Sequence, residues 1–420
     1  MPQPPFDPSL DSRADASELP IVQAGAGFRL LSGTRVLDLS TSVAGPYAAM
    51  LLGDMGAEVI KVERPGGDDA RAWGPPFIEN ESLWYVSVNR NKRGVVLDYT
   101  KADGRAVLAR LIKASDVVVV NQRARVQKKL GLDPDACRLL RPDIIHVSIT
   151  GFGLEGKRSD WACYDLIAEG YSGVMDITGE LDGAPQKIGA PAADMLAGSD
   201  AAFAAVAALF DRSRTGRGHT IDVSLVESMT KFLTCRIVPF LGSRELPRRS
   251  GGKDSVIAIY QAFETADHPI TLGLGNDAIW ERFWSAVGQP GVARRDRYAS
   301  NSKRREHRAE IVALIQSLLR EKLRDYWLAR FNEARVPAGP IYRLDEVTRD
   351  EELRNRGLFY TLEADGRKLP QVGTGFQVDG KANVARMAPP RLGESTAQVL
   401  KELGQLNEAE IEDLRRNRII

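Results

Sequence analysis

The first half of the chain alternates short β-branched segments with helical ones. Residues 35–40 (RVLDLS) and 58–63 (EVIKVE) are typical of strands, and an apolar helix is predicted between them at 46–56. A strand, a helix and a second strand connected in this way form a βαβ unit, in which the two strands lie parallel. This pattern restricts the region to a parallel sheet covered by helices.

The alternation continues to residue 150. In chain order the pattern predicts a strand at 95–99, a helix at 103–114, a strand at 117–121, a helix at 135–140 and a strand at 144–150. Such a series predicts a doubly wound α/β domain. The strongest helix signal then follows at 193–212, where alanine is abundant and Thr-Gly-Arg-Gly closes the segment.

The character of the sequence changes after this helix. A segment rich in Pro, Arg and Gly at 245–254 precedes a pair of strands at 256–263 and 270–274 that resembles a hairpin. Charged helices are then predicted at 277–287, 303–322 and 325–334. These features predict a second, smaller domain. The last segment, from residue 345 onward, mixes helical and strand patterns without a clear topology.

Composition excludes several classes of protein. Among 420 residues, 57 are Lys or Arg and 56 are Asp or Glu, so the formal net charge is +1, and a nucleic-acid-binding protein is usually more basic. No run approaches the ~18 consecutive apolar residues of a membrane-spanning helix. The first 18 residues, rich in Pro, Asp and Ser, do not resemble a secretory signal. We therefore expect neither a nucleic-acid nor a membrane partner.

Cysteine and histidine usage indicates a compartment and argues against a metal site. The three cysteines (Cys137, Cys163 and Cys235) are far apart, odd in number and form no C-x-x-C pair, which favours a reducing cytoplasm. The four histidines stand singly, without the close spacing of zinc ligands. We expect no bound metal.

A literal G-x-G-x-x-G motif occupies residues 151–156, directly after a predicted strand. A dinucleotide site requires that the third glycine lie within a helix whose N-terminus meets the pyrophosphate. The continuation at 157–161 (KRSDW) has no helical apolar period. The motif therefore predicts a glycine-rich turn, and a nicotinamide oxidoreductase is kept only as a rival function.

Two loops that follow predicted strands offer groups suited to an anion. Residues 41–46 (TSVAGP) open the first helix, and helix N-termini at the carboxyl ends of parallel strands bind phosphates. Arg64 and Arg71 both follow the next predicted strand, in one loop. A guanidinium there can bind a diphosphate through paired hydrogen bonds. An ordinary βα turn and solvated arginines explain the same residues, and both interpretations stay open at this point.

Asp194 lies in the first turn of the alanine-rich helix and has two possible roles. Capping the helix is the commonest use of Asp at such a place, and capping statistics favour it. A carboxylate nucleophile is the alternative, because the helix dipole stabilises the ionised form and the small neighbours leave room for an acyl group. Ser250, Gly251 and Gly252 are consistent with either a mobile lid or a linker.

Several segments in fixed order carry a resemblance to a known family. They read VLDLSTSVAGPYAAMLLGDMGAEVIKVERPGGDDARAWGPPF, SVNRNKRGVVLD, ITGFG followed by YDLIAEGYSGVMDITG, TGRGHTIDVSL, VPAGPI and PPRLGEST. From about Leu37 to the C-terminus the chain resembles the family III (CaiB/BaiF) CoA-transferases, which include formyl-CoA transferase. The blocks GDDARAWGPPF, NRNKRG and SVIAIYQAF are most similar to the succinyl-CoA:dicarboxylate (glutarate-type) branch.

The resemblance implies an α/β fold in which N- and C-terminal segments form a large Rossmann-like domain with a smaller α+β domain inserted. It also implies an interlocked homodimer. With it, the chain divides into a mobile N-terminal extension at 1–33, the first part of the CoA-binding large domain at 34–225, a linker at 226–249, the small domain at 250–340, and a linker with a return to the large domain at 341–420.

The resemblance also assigns site residues. It places the family's nucleophilic aspartate at Asp194, which reverses the preference for a simple cap. The positions that contact CoA fall on Val43, Ala44, Arg64, Leu97, Asn121, Lys129, Tyr164 and Asp165, with Gly251 and Gly252 in a glycine loop that shields intermediates.

Three departures from the family pattern refine these expectations. Residues 121–125 read NQRAR where Asn-Phe-Arg-Pro-Gly is usual, which affects the predicted adenosine contacts. Val43 replaces the glutamine of the oxalate–formate branch and argues against oxalate as acceptor. Tyr164 stands where the racemases of this fold carry a histidine base, which argues against α-proton exchange.

The resulting expectation is a cytoplasmic CoA-transferase that moves CoA from succinyl-CoA to a carboxylic acid, a dicarboxylate by its branch, through an aspartyl-CoA intermediate. Coenzyme A is then a substrate, and no permanently bound cofactor is expected. Arg71, Arg90 and Arg248 are candidates for holding the distal carboxylate. The rival functions are an acyl-CoA racemase and a noncatalytic CoA-binding subunit of a heteromeric transferase.

Overall fold

The computed structural model describes residues 19–254 and 256–420, which form two compact units. The first unit ends its opening segment at Ser172 and continues over Gly189–Thr234 and Thr348–Ile420. The second unit consists of Gly173–Ile188 and Cys235–Val347. The second unit therefore begins with a segment from 173 to 188 that the predicted small domain, 250–340, does not include.

The strands are, in chain order, β1 (Ile21–Gln23), β2 (Arg35–Asp38), β3 (Glu58–Glu63), β4 (Phe77–Ile78), β5 (Glu81–Ser82), β6 (Lys92–Val96), β7 (Val117–Val120), β8 (Ile145–Thr150), β9 (His219–Ser224), β10 (Tyr260–Phe263), β11 (Ile270–Gly273), β12 (Ala338–Pro340), β13 (Phe359–Ala364), β14 (Arg367–Val372), β15 (Gln377–Val378) and β16 (Lys381–Ala382).

The helices are α1 (Ala44–Asp54), α2 (Leu83–Val88), α3 (Ala102–Lys113), α4 (Ala124–Leu130), α5 (Pro134–Leu140), α6 (Asp165–Ser172), α7 (Val174–Ile177), α8 (Ala192–Thr215), α9 (Leu225–Phe232), α10 (Thr234–Ser243), α11 (Asp277–Ala286), α12 (Pro290–Ala293), α13 (Asn301–Glu306), α14 (Arg308–Leu319), α15 (Arg324–Glu333), α16 (Leu344–Val347), α17 (Glu351–Asn355), α18 (Thr396–Glu402) and α19 (Glu408–Arg416).

A six-stranded parallel sheet is the centre of the first unit, with strand order β6-β3-β2-β7-β8-β9. The chain builds outward from β2 in one direction and then from β7 in the other, so the strand order reverses between these two strands. In doubly wound sheets ligands bind outside the carboxyl ends of the strands at such a reversal. The predicted mixed α/β fold with a central parallel sheet is confirmed.

Strands β2, β3, β7 and β8 are almost fully buried, as expected for a parallel sheet with helices on both faces. All four valines of β7 are fully buried. The core on one face also receives apolar side chains from α18 and α19, including Leu400 and Ile411. The C-terminal helices, whose topology the sequence pattern left unassigned, therefore complete the same core as the strands.

Helix α8 packs its small residues against α1. A side chain at Gly198 would place its Cβ 2.7 Å from the Ala44 carbonyl oxygen and 2.9 Å from a ring carbon of Tyr47, so glycine is what permits this close approach. The opposite face of α8 exposes Phe203, Val206 and Phe210.

By length and composition α8 is also the one helix in the described residues that could cross a membrane, a feature that counting uninterrupted apolar runs did not reveal. Its small residues, such as Ala197, Ala201 and Ala205, are buried within the unit. Core helices of soluble proteins often have the same length and composition, so this feature alone is weak evidence for a membrane span.

Part of the N-terminal segment predicted to be a mobile extension belongs to a separate three-stranded sheet. Strand β1, within the segment predicted to be mobile, pairs in parallel with β13, which pairs antiparallel with β14. Backbone hydrogen bonds to a distant part of the chain hold residues 21–23, and no local pattern reveals such a partner. The rest of that extension, residues 1–18, lies outside the described residues.

The second unit has its own sheet, β10-β11-β12, and its own core around Trp280, Trp284 and Phe331. The hairpin of β10 and β11 and the helix α11 lie within or next to the predicted segments. The helix predicted at 303–322 is instead two helices that meet at His307. The predicted linker at 226–249 contains α9 and α10, because a helix of mixed polarity is hard to distinguish from a linker in sequence.

Candidate active site

A cleft of about 280 Å³ opens in the first unit at the carboxyl ends of β2, β7 and β8, where the strand order reverses. Its walls come from the loops after these strands, the loop before α6 and the first turn of α8. The lining residues are Thr41, Ser42, Val43, Ala44, Asp69, Asn121, Arg123, Ile149, Thr150, Gly151, Ala162, Cys163, Tyr164, Asp194 and Leu225.

The first turn of α1 presents backbone donors to this cleft. Val43 is the N-cap and provides no side-chain cap, so the N–H groups of Ala44 and Gly45 have no partner within the helix. The next residue is Pro46, which has no N–H. The start of α1 therefore carries the partial positive charge and free donors that suit a phosphate or a developing oxyanion.

The start of α8 is capped by a residue of another helix. An Asp165 carboxylate oxygen accepts hydrogen bonds from the backbone N–H groups of Ala193, at 2.8 Å, and Asp194, at 3.3 Å. Pro191, the N-cap, contributes no side-chain cap, and the Asp194 carboxylate accepts no hydrogen bond from the described residues. Asp194 is therefore not the cap that capping statistics favour, and its side chain lines the cleft.

Burial and a neighbouring charge perturb the groups around Asp194. Burial, followed by the negative charge of Asp165, raises the pKa of Asp194 to about 7. Burial, followed by the charge of Asp194, raises the pKa of the Cys163 thiol to about 11, so this thiol is neutral at physiological pH. A carboxyl group with a pKa near neutrality in a cleft is a candidate for covalent or acid–base chemistry.

Several predicted site residues meet in this cleft. Val43, Ala44, Asn121, Tyr164 and Asp194 line it. The amide of Asn121 is occupied, since it accepts from Thr41 N–H at 3.0 Å and donates to Thr41 C=O at 2.8 Å. Its position at the cleft is therefore that of a residue that shapes the wall.

Three predicted contacts lie outside the lining. Arg64 is exposed, donates to Gly67 C=O at 3.0 Å and pairs with Asp69, which does line the cleft. Leu97 is fully buried in the core, so its side chain does not line the cleft, and a CoA contact at this position stays a prediction. Lys129 is exposed on α4.

The predicted glycine loop belongs to the second unit. Gly251 has a φ of +63° and donates its N–H to Gly179 C=O at 2.9 Å. A Cβ there would lie 2.5 Å from a carboxylate oxygen of Glu180, so a side chain at this position would require the Glu180 carboxylate to move. A Cβ on the neighbouring Gly252 would meet no atom within 4 Å.

The arginines proposed for a distal carboxylate do not line the cleft. Arg71 binds Glu63 through two hydrogen bonds of 2.7 Å, and Arg90 binds Asp54 and is buried. Arg248 belongs to the second unit. Arg123 is the one cationic side chain in the described lining. In the sequence Arg123 stands out only as part of the altered segment 121–125, although its place just after a central strand is a usable signal.

The glycine motif at 151–156 is a turn in this structure. Gly153 and Gly156 have φ values of +89° and +91°, and the next helix, α6, begins only at Asp165. No helix begins at the third glycine, so the geometry of a dinucleotide-binding βαβ unit is missing from this segment.

These features define a class of protein with a Rossmann-like α/β fold and a cleft where the strand order reverses. A carboxylate without a hydrogen bond, at the start of one helix, shares this cleft with the start of a second helix. Comparison with known proteins agrees with it. The model of CoA-transferase family III matches residues 31–396, and the chain belongs to this family and is a CoA-transferase.

Relatives and a solved structure cover nearly the whole chain. A succinate–glutarate CoA-transferase of Agrobacterium fabrum is 40% identical over 89% of this chain and 95% of its own length. A succinyl-CoA:glutarate CoA-transferase of Mus musculus is 36% identical over 91% of this chain and 88% of its own. The crystal structure of a CaiB/BaiF family protein from Brucella suis is 35% identical, with a TM-score of 0.79, and covers 88% of this chain and 98% of its own.

Proposed function

We propose that the protein transfers CoA from succinyl-CoA to a dicarboxylic acid through a covalent aspartyl-CoA intermediate on Asp194. The observation that carries the proposal is the division of roles at the start of α8. Because Asp165 caps the helix, the Asp194 carboxylate is free to react in the cleft. The names of the relatives, both of which act on glutarate, support the choice of substrates.

The proposed reaction begins when the ionised Asp194 attacks the thioester carbonyl and expels the CoA thiolate, leaving a mixed anhydride. The thiolate then attacks the aspartyl carbonyl, which releases the donor carboxylate and forms the aspartyl-CoA thioester. An acceptor carboxylate attacks this thioester, and the expelled thiolate attacks the acceptor's acyl carbon, which regenerates Asp194. Covalent steps of this kind replace one difficult exchange with several easier ones.

Each step passes through an oxyanion, and the first turn of α1 is suited to stabilise it. The N–H groups of Ala44 and Gly45 have no helical partner, and Ala44 lines the same cleft as Asp194. Preorganised backbone donors of this kind lower the barrier of acyl transfer. In the proposal, the glycine segment at Gly251 and Gly252 keeps water from the anhydride.

The geometry bears on the rival functions as well. A racemase needs two acid–base groups, and the position before Asp165 holds the exposed Tyr164 instead of a histidine. No histidine is among the cleft residues described. A noncatalytic CoA-binding subunit does not need a reactive carboxylate, so covalent trapping separates that rival from the proposal.

The test is trapping on the enzyme. Incubation with succinyl-CoA and hydroxylamine is expected to convert Asp194 to a hydroxamate, which peptide mass spectrometry locates. The steady-state rate of transfer is expected to be higher with glutarate as acceptor than with valerate. Asp194→Asn should abolish both labelling and transfer. Asp211→Asn, which changes another carboxylate on α8, is the matched control and should retain both. Transfer by Asp194→Asn at the wild-type rate would refute the nucleophile.

We also propose that the protein is a cytoplasmic, interlocked homodimer. The three cysteines are unpaired in the structure, which is consistent with a reducing compartment. In this proposal a second copy covers the exposed apolar face of α8, which is formed by Phe203, Val206 and Phe210.

A further inference from the structure

Side chains of other elements bind several backbone groups of the turn between β2 and α1. Gln122 donates to Leu39 C=O at 2.8 Å, and Asn121 bonds both the N–H and the C=O of Thr41. Helix and sheet ladders normally satisfy such backbone groups. Here side chains satisfy the C=O of Leu39 and both groups of Thr41.

A buried ion pair holds the rest of the turn. Lys61, fully buried on β3, donates to Ser40 C=O at 3.0 Å and to Asp68 at 3.0 Å. The other oxygen of Asp68 accepts from the backbone N–H groups of Ser42 and Ala70, each at 3.0 Å. The pair therefore grips the turn at two points, one residue on either side of Thr41.

Ser42 shows that this grip sets the backbone. Its φ is +70°, in the left-handed region that residues other than glycine rarely occupy. A strained backbone conformation of this kind persists only where the surrounding contacts enforce it, and such conformations are concentrated at functional sites. The Asp68 hydrogen bond to Ser42 N–H is a direct local restraint on it.

The consequence is carried directly into α1. Val43 follows Ser42, and the free donors of Ala44 and Gly45 come next. A Cβ at Gly45 would collide with the side chain of Ser40, so the helix start is also packed closely onto the turn. A change in the turn therefore moves the donors that face the Asp194 cleft.

Stability alone is a weak reason to keep the pair. A buried ion pair often gains little over apolar residues of the same volume, since removing two charges from water offsets their attraction. Burial lowers the pKa of Lys61, but the charges of Asp38 and Asp68 outweigh it and hold the pKa above its ordinary value. Lys61 therefore remains charged, and both side chains bind the turn.

We infer that Lys61 and Asp68 are positioning residues for acyl transfer, which orient the N–H donors at the start of α1 toward the oxyanion formed at Asp194. This inference rests on the proposed function. Neither side chain lines the cleft, so both act through the turn and not on the substrate.

The principal test is Asp68→Asn. One oxygen of the Asp68 carboxylate accepts from Lys61, and the other accepts from the backbone N–H groups of Ser42 and Ala70. The side chain of Asn has a single oxygen, so it cannot accept both sets of hydrogen bonds. We expect kcat to fall about 10–100-fold, as for a displaced oxyanion donor, with the KM for succinyl-CoA within about 3-fold. Lys61→Met removes the second grip and should give the same split.

The matched control is Asp54→Asn at the opposite end of α1. Asp54 forms an equally buried ion pair with Arg90 but lies at the last residue of the helix, away from the turn. We expect this variant to lose stability while kcat stays within about 2-fold of wild type. Equal losses of kcat in the Asp54 and Asp68 variants, or wild-type kcat in the Asp68 variant, would overturn the inference.

Hydrogen–deuterium exchange separates this inference from the proposed function. The backbone amides of residues 40–46 should exchange faster in folded Asp68→Asn than in wild type. In Asp54→Asn their exchange rates should equal those of wild type, and neither result depends on which substrate the enzyme uses. Failure of the wild-type enzyme to form a hydroxamate refutes the proposed function without touching this result. Unchanged exchange in Asp68→Asn refutes the positioning role even if Asp194 is the nucleophile.

Discussion

Two aspartates at the start of α8 share what one residue usually does. Asp165 supplies the helix cap from outside, and Asp194 keeps its carboxylate unbonded in the cleft. The arrangement has a cost, because Asp165 and burial together raise the pKa of Asp194 to about 7. The reactivity proposed for Asp194 and the stability of the fold are therefore opposed at this residue.

The opposition predicts a pH-dependent gain in stability for Asp194→Asn. The folded-state pKa of about 7 exceeds the ordinary 3.8, so between these values the folded protein retains a proton that the unfolded chain releases. Wild-type stability therefore declines as the pH rises from about 4 to 7 and stays lower above it. At pH 8 the variant should be more stable by about 1–3 kcal/mol, and near pH 4 the difference should vanish.

Urea unfolding of both proteins at pH 4.5 and pH 8 measures this difference. Asp211→Asn is again the control, since Asp211 is solvated and its pKa is lowered by the hydrogen bond to His219. It should give no gain at pH 8. An equal free energy of unfolding for wild type and Asp194→Asn at pH 8 would show that Asp194 is not perturbed.

The rate is predicted to follow the ionisation of Asp194. Since only the carboxylate is nucleophilic, kcat/KM should rise as the pH increases through about 7. Asp165→Asn keeps an oxygen for the amide of Ala193 but removes the neighbouring charge, so the midpoint should move to lower pH by about 0.5–1. A pH–rate profile from 5 to 9 tests this, and an unmoved midpoint would contradict it.

At the scale of elements, the site depends on how closely α8 approaches α1. Gly198 lies one turn after Asp194, against the carbonyl of Ala44 and the ring of Tyr47. The approach brings the start of α8 beside the first turn of α1, so the donors and the carboxylate share one cleft. The sequence shows a glycine in a helix, where glycine is ordinarily unfavourable, and this is a sign of close packing.

Gly198→Ala is therefore expected to be harmful although alanine is the better helix former. The added Cβ meets backbone 2.7 Å away, and separating the helices should reduce stability by about 1–3 kcal/mol and lower kcat. Gly242→Ala on α10 has open space around its Cβ and should be neutral or stabilise by up to about 1 kcal/mol. Thermal unfolding and steady-state kinetics compare the two; a stabilised Gly198→Ala would show that the helices are free to move apart.

The elements themselves were predictable to different degrees. The predicted strands at 58–63 and 117–121 and the predicted helices at 103–114 and 193–212 have strong periodic or apolar patterns. The structure confirms each of them within a few residues. Strand β9 was not predicted, since only pairing with β8 explains why the segment HTIDVS is extended. The N-terminal strand β1 depends in the same way on a partner some 340 residues away.

At the scale of the whole molecule, the exposed aromatic stripe on α8 carries a prediction. The side chains of Phe203 and Phe210 are 78% and 64% exposed, which is unusual for large apolar groups at helical spacing. If a second copy covers them, light scattering should give about 92 kDa, twice 46.1 kDa. The double variant Phe203→Glu/Phe210→Glu should lose this species.

Leu139→Glu is the control, because Leu139 is 87% exposed on α5, away from α8 in the sequence, and the variant should remain dimeric. A wild-type mass near 46 kDa would refute the dimer. A dimer that survives the double variant would place the interface elsewhere.

The sequence by itself determined the parallel sheet and the alanine-rich helix, because hydrophobic period is a local property, and its ordered motifs assigned the proposed nucleophile to Asp194. Only the tertiary structure decided which aspartate caps α8, that Leu97 is core, and that Arg71 and Arg90 are bound to Glu63 and Asp54. These outcomes depend on contacts between residues far apart in the chain. Carboxylates and guanidiniums choose among several partners by distance and burial, and no local pattern records that choice.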